Sequence, residues 1–159
     1  MKLLIKQRVF SWTDTYDVYD EWKVPRYFVR ASLLSFGHQI HVKDAQTGCE
    51  VGGVYQRLLV LMPRFTLEVN GRNMGSIRKE MTLLRPRYRL DVNGWRVQGD
   101  VLGWHYDVVD RSGKSVLHIT KEWLHWGDTY VLDIPNPRNE LLCLLVAIAI
   151  DAANCSENK

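Results

Sequence analysis

Cysteine is scarce in this sequence: Cys49, Cys143 and Cys155 are all it has in 159 residues. They are odd in number, far apart and without CxxC spacing, which excludes a disulfide framework and a zinc knuckle and points to a reducing, intracellular setting. Long hydrophobic runs are missing too. A bilayer-spanning helix needs about 20 apolar residues, whereas the longest run here, LLCLLVAIAI from Leu141 to Ile150, has ten. As a helix at about 1.5 Å per residue it reaches only about 15 Å. MKLLIKQRVF at the start offers three apolar residues before Lys6, short of the apolar stretch of a secretory signal. The expected location is cytoplasmic, with peripheral contact as the one membrane option. Catalytic motifs are equally lacking: there is no P-loop, Gly52 and Gly53 open no phosphate-binding fingerprint, and no Ser or Cys stands in a nucleophile motif. No enzyme activity, catalytic residue or cofactor is expected.

What is present has the composition of one globular domain, 46% hydrophobic and 25% charged. A helix over Leu141–Ile150 is apolar all round, so it must lie inside protein rather than on a surface. ProAsnProArgAsnGlu at 135–140 announces it, with Asn136 placed to cap the first turn and Pro137 suited to the first helical position. The rest of the chain has to enclose this segment. Short runs rich in Val, Ile, Leu, Tyr and Trp are punctuated by turn residues at 44–48, Asn70 Gly71, Asn93 Gly94 and 110–113, the signals of an antiparallel meander.

An internal repeat sharpens this. PRFTLEVNG from Pro63 to Gly71 recurs as PRYRLDVNG from Pro86 to Gly94, six of nine positions identical, and WTDTY from Trp12 to Tyr16 returns as WGDTY from Trp126 to Tyr130. Superposed, the copies align Trp12, Leu61, Leu84 and Trp126, then Asp14, Pro63, Pro86 and Asp128. Residues two apart on a strand share a face, so Tyr16 with Val18, Phe65 with Leu67, Tyr88 with Leu90, and Tyr130 with Leu132 are expected to point inward. Proline at a shared position marks strand starts or bends, and bends recur round a barrel. Closure also removes exposed edges. A barrel of about twelve strands is wider than its own side chains fill, which gives the apolar helix its place as the plug. The expected fold is mainly β: one domain over 1–155, a closed antiparallel barrel over about 1–134 around a central helix over about 137–153, and a polar tail at 156–159.

These features resemble the LURP-one-related family, of the tubby C-terminal-like superfamily and related to phospholipid scramblases. The resemblance rests on IleLysGln at 5–7, MetProArgPhe and ArgProArgTyr, KEWLHWGDTY from Lys121 to Tyr130, and AlaIleAsp at 149–151 closing the helix. It implies the same barrel around a hydrophobic C-terminal helix. It carries no catalytic set, and implies a lipid-headgroup role only at superfamily distance, with no site residue transferred.

Charge supplies the candidate site. Residues 56–99 hold nine Lys/Arg against three Asp/Glu, a local +6 in a chain of net +3. At its centre Arg85, Arg87 and Arg89 alternate with Pro86, Tyr88 and Leu90, so an inward Tyr88 puts the arginines outside. Like charges along one face repel unless acids or an anion intervene, and guanidinium suits phosphate. Arg64 occupies the repeat position of Arg87; Lys79, with Arg57, Arg72 and Arg78, comes from the same third. The competing reading pairs these arginines with Glu68, Glu80 and Asp91. His38 and His41, three apart, fall on opposite faces, and His105, His118 and His125 lack ligand spacing, so no metal is expected. Asp14 and Asp128 read as turn residues rather than an acid pair; Trp12 and Trp126 read as barrel filling, and Trp22, Trp95 and Trp104 as interface candidates.

The sequence therefore reads as a nonenzymatic module docking on anionic phospholipid headgroups or a membrane surface, with Arg85, Arg87, Arg89, Arg64 and Lys79 as anion-binding residues. A protein-binding adaptor is the alternative, nucleic acid is disfavoured, and no oligomeric state is assigned. If the helix is the plug, the amides from Leu142 to Ile150 will be among the slowest to exchange in native protein; rapid exchange there would contradict the barrel-plug reading.

Overall fold

The computed structural model describes residues 1–6, 15–34, 37–57, 63–80, 87–124 and 127–155, the side chains of 33–34, 123–124, 127–128 and 155 excepted. Twelve strands form one sheet: β1 (Lys2–Lys6), β2 (Thr15–Asp20), β3 (Pro25–Leu34), β4 (Gly37–Asp44), β5 (Glu50–Arg57), β6 (Arg64–Val69), β7 (Arg72–Glu80), β8 (Arg87–Leu90), β9 (Arg96–Asp100), β10 (His105–Val109), β11 (Ser115–Leu124) and β12 (Gly127–Asp133). Each strand from β1 to β8, and each from β9 to β12, pairs antiparallel with its neighbour in sequence, and β1 pairs with β12, Leu3 opposite Leu132 and Ile5 opposite Tyr130. The result is a nearly closed barrel. A 3-10 turn at Pro137–Asn139 leads into α1 (Glu140–Cys155), the single α-helix among the described residues. Trp12, Asp14, Leu61, Leu84, Arg85, Pro86, His125, Trp126 and the tail at 156–159 lie outside the described residues, as does the side chain of Asp128.

The repeat does place its apolar pairs inward: Val18, Phe65, Leu67, Tyr88, Leu90, Tyr130 and Leu132 are buried, and the Tyr16 hydroxyl lies inside as well. They face the helix, whose side chains from Leu142 to Ala153 are all buried. Asn136 accepts a hydrogen bond from the Arg138 N–H at 3.1 Å and Pro137 starts the turn, as the sequence indicates. Arg26 on β3 holds the start of α1 by a two-pronged ion pair, Nε to Glu140 Oε1 at 3.1 Å and NH2 to Oε2 at 2.9 Å. Burial of the Cys143 thiol pushes its pKa up to about 12, so this cysteine is a small apolar filler rather than a nucleophile.

The sheet's two edges are β8 and β9. Asn93 Gly94 was expected to form a hairpin, and the backbone does make the tight turn: Asn93 has φ 49° and Trp95 N–H bonds Val92 C=O at 2.8 Å. The flanking strands, however, have no ladder between them among the described residues. β8 keeps its backbone on β7, with Asp91 N–H bonding Ser76 C=O at 2.8 Å, and buried Val92 and Trp95 fill the seam with side chains. Asn70 Gly71 behaves as expected, turning β6 into β7 with Val69 opposite Arg72.

Two close approaches depend on glycine. A Cβ on Gly52 would meet Leu145 Cδ1 at 3.1 Å, so β5 and the helix nearly touch there. At Gly75, φ is 126° and a Cβ would fall 1.9 Å from Asp91 C=O. Gly75 sits at a bulge in β7, where the register with β6 shifts after Leu67. Gly75→Ala combines backbone strain with overpacking and is expected to lower unfolding free energy by about 2–4 kcal/mol in urea titration; a change under about 0.5 kcal/mol would show that the bulge is dispensable.

Candidate anion-docking face

Strand alternation decides which basic residues share a surface. Phe65 and Leu67 point in, so Arg64 points out; Ile77 points in, so Arg78 and Glu80 point out; Tyr88 and Leu90 point in, so Arg87 and Arg89 point out. Val54 is buried and Arg57, three residues on, faces out with Arg64 as its cross-strand partner. The register then lines up four guanidinium-bearing residues: Arg57 is opposite Arg64, Arg64 opposite Arg78, and Arg78 opposite Arg89. With strands about 4.8 Å apart, the row spans about 14 Å across the outer wall.

The Gly75 bulge creates this row. Continuing the ladder from Val69 and Arg72 without it would set Arg64 opposite Ile77 and turn Arg78 inward. The extra residue restores Ile77 to the core and brings Arg78 out. The same shift sends Lys79 the other way: it is the cross-strand partner of inward-facing Tyr88. Lys79 therefore belongs to the inner face, not to the outer basic patch in which the sequence placed it. Arg64, Arg87 and Arg89 lie on the outer face as expected, Arg85 lies outside the described residues, and Arg57 and Arg78 complete the row, with Arg64 and Arg78 at its centre.

Acidic compensation on this face is thin. Glu80 reaches Arg78 at 3.9 Å and Asp91 reaches Arg89 at 3.6 Å, both two residues along the same strand and both longer than a hydrogen bond. Glu68 pairs with no arginine among the described residues; it and Glu50 add to the burial that raises the Tyr55 phenol. Arg57 Nε donates to Thr66 Oγ1 at 3.3 Å. Arg78 Nε is buried without a hydrogen-bond partner, in the middle of the row. An unpaired donor among like charges costs free energy, and an anion laid along the row would relieve both.

Other constellations are less suited to a ligand. His118 Nδ1 lies 2.8 Å from Asp107 Oδ1, which also accepts from Ser115 Oγ at 3.3 Å, and the His105 ring meets His118 edge-on at 5.6 Å. Sequence spacing could not show this pairing, because it runs between β10 and β11. Among the described residues no three His, Cys, Asp or Glu side chains are grouped to hold a metal ion. His41 faces out, its Nδ1 3.0 Å from Glu50 Oε1. A cleft of about 320 Å³ at the end where α1 begins is lined by Asn93, Trp95, Asp110, Lys114, Asn136 and Asn139. Its carboxylate is committed to the turn: Ser112 and Lys114 donate to Asp110 and hold its pKa below the usual range. Of the tryptophans proposed for an interface, Trp95 is buried and Trp104 stacks on Tyr130 at 3.9 Å, while Trp22 is 75% exposed. No helix among the described residues is long and apolar enough to cross a membrane.

Comparison with known proteins adds three similarities. A family model described as LURP-one-related matches residues 1–151. The Bacillus subtilis (strain 168) protein YxjI, whose name carries no activity, is 28% identical over 152 residues, spanning 95% of this chain and 92% of that protein. An X-ray structure of an Arabidopsis thaliana protein superposes with a TM-score of 0.59 over 92% of this chain and 90% of that one; at 15% identity the likeness is one of fold.

If the row is held against its own repulsion, Arg78→Gln will raise stability by about 0.5–1 kcal/mol in low-salt urea titration. A loss of stability would show instead that the Glu80 pair dominates.

Proposed function

The chain belongs to the LURP-one-related family, and from that membership we propose a nonenzymatic binding module that docks on anionic phospholipid headgroups through the outer face of β5–β8. The observation carrying this reading is the row Arg57, Arg64, Arg78 and Arg89, in register and undercompensated. Its residues sit on neighbouring rigid strands, so little ordering entropy is lost on engagement. Near an anionic surface each Arg contributes about 1 kcal/mol, so four engaged together amount to as much as about 4 kcal/mol, nearly three decades in partitioning. Adding Arg87 widens the patch toward the β8 edge.

A protein-binding adaptor is the second reading, favoured by Trp22. This indole projects from the β2–β3 turn, where the Asp20 carboxylate accepts from both Trp22 and Val24 N–H at 2.9 Å and fixes the tip.

The test is flotation with neutral, phosphatidylserine-containing and phosphoinositide-containing liposomes. Wild type is expected to float with anionic vesicles only and to dissociate as salt rises, while the Arg64→Glu, Arg78→Glu, Arg89→Glu triple variant stays unbound. Absence of binding to every vesicle at low salt removes the lipid reading and promotes the adaptor.

A further inference from the structure

The interior holds a carboxyl group that docking on the outer wall does not use. Asp151 sits in the buried part of α1, 5% exposed, one turn before the helix ends, and its Oδ2 is buried without a hydrogen-bond partner. Phenols surround it. Tyr106 from β10 is 1% exposed and its hydroxyl has no hydrogen-bond partner among the described residues; Tyr16 from β2 is near enough for the Asp151 charge to disfavour ionisation of its phenol; and the Tyr88 hydroxyl from β8 donates to Asn154 Oδ1. Burial first, and then the Asp151 charge, raises both the Tyr16 and Tyr106 phenols.

Among the described residues no cation pairs with the group. The last turn of α1 has no basic residue, although the helix C-terminus is its negative pole. His38 on β4, Lys79 on β7 and Lys121 on β11 take inner-face positions toward this end of the barrel, the last two by their pairing with Tyr88 and Tyr130. Each is engaged in a contact of its own. Of the three strands packed most closely on the helix, β5 and β6 present uncharged Gln56 and Phe65 here, and β7 presents Ile77 before Lys79. An ionised Asp151 would thus be a buried charge facing phenols and the negative end of its own helix, without a counterion among the described residues. Such a group keeps its proton or moves to water.

We propose that Asp151 is a proton-operated latch: uncharged, it seats the last turn of α1 inside the barrel, and its ionisation releases that turn. The direction in pH follows from linkage. Burial pushes the Asp151 pKa up to about 7, against about 4 for the same group in water. The seated form binds the proton more tightly, so its stabilisation is complete below about pH 4, declines as pH rises to about 7, and is gone above that. One proton is linked, so the opening constant climbs about tenfold per pH unit inside the window and levels beyond it.

Hydrogen exchange of the full chain between pH 5 and pH 9, corrected for intrinsic rates, reads this directly. Opening at the Ala152, Ala153 and Asn154 amides is expected to rise about 50-fold from pH 5 to pH 7 and about twofold more before levelling off by pH 9, while Leu142 to Val146 remain unchanged as the internal reference. Asp151→Asn, which copies the uncharged form, removes the pH dependence. A carbon-13 titration of the Asp151 carboxyl in wild type supports the latch by a midpoint near 7 and does not depend on the variant folding. A midpoint near 4, pH-independent opening in wild type, or the same rise in the Asn variant overturns it.

Discussion

Burial of α1 is the constraint on which the rest of this molecule depends. From Leu142 to Ala153 the helix presents no side chain to water, and each of its Leu, Ile and Val side chains is worth about 1.5–3 kcal/mol only while it stays enclosed. The sheet has the complementary problem: a single layer of twelve strands has an inner face with nothing else to pack on. Each element solves the other's problem. Two close contacts of the fold, Gly52 against Leu145 and Arg26 against Glu140, join sheet and helix in this way.

With the interior given over to packing, polar chemistry has two places to go. On the outer wall, four arginines stand in register with few acids beside them. At the end of the barrel where α1 stops, Asp151 and Tyr106 break the rule that buried polar groups are paired. On β7, Arg78 faces outside while Ile77 packs inside.

How much of this is written legibly in the sequence differs by level. Period-two alternation and the repeated nonapeptide identify the inward residues from Val18 to Leu132, and an unbroken apolar run identifies the plug, because both are local patterns that burial imposes on composition. Pairing is not local. Arg87 and Arg89 are recognisable as outward once Tyr88 is placed inside, but the row through Arg57 and Arg78 depends on one extra residue beside Gly75, which moves Arg78 out and Lys79 in. The lone glycine in a strand pattern was the available signal. Asp151 reads as an ordinary polar stop after ten apolar residues; only the depth of the helix in the barrel makes it a buried acid.

The order in which the chain is made gives the position of α1 another meaning. Domains usually begin to fold from the N-terminus as they emerge from the ribosome, but here the segment that fills the interior is synthesised after every strand, and β1 must wait for β12, more than 120 residues later, to gain its second neighbour. A nascent chain that has released all twelve strands still has an apolar inner surface and nothing to close around. Its assembly is a late, collective event dominated by distant pairings, the slow regime of folding, and a premature stop before Glu140 would leave a sheet with no interior to protect it from aggregation.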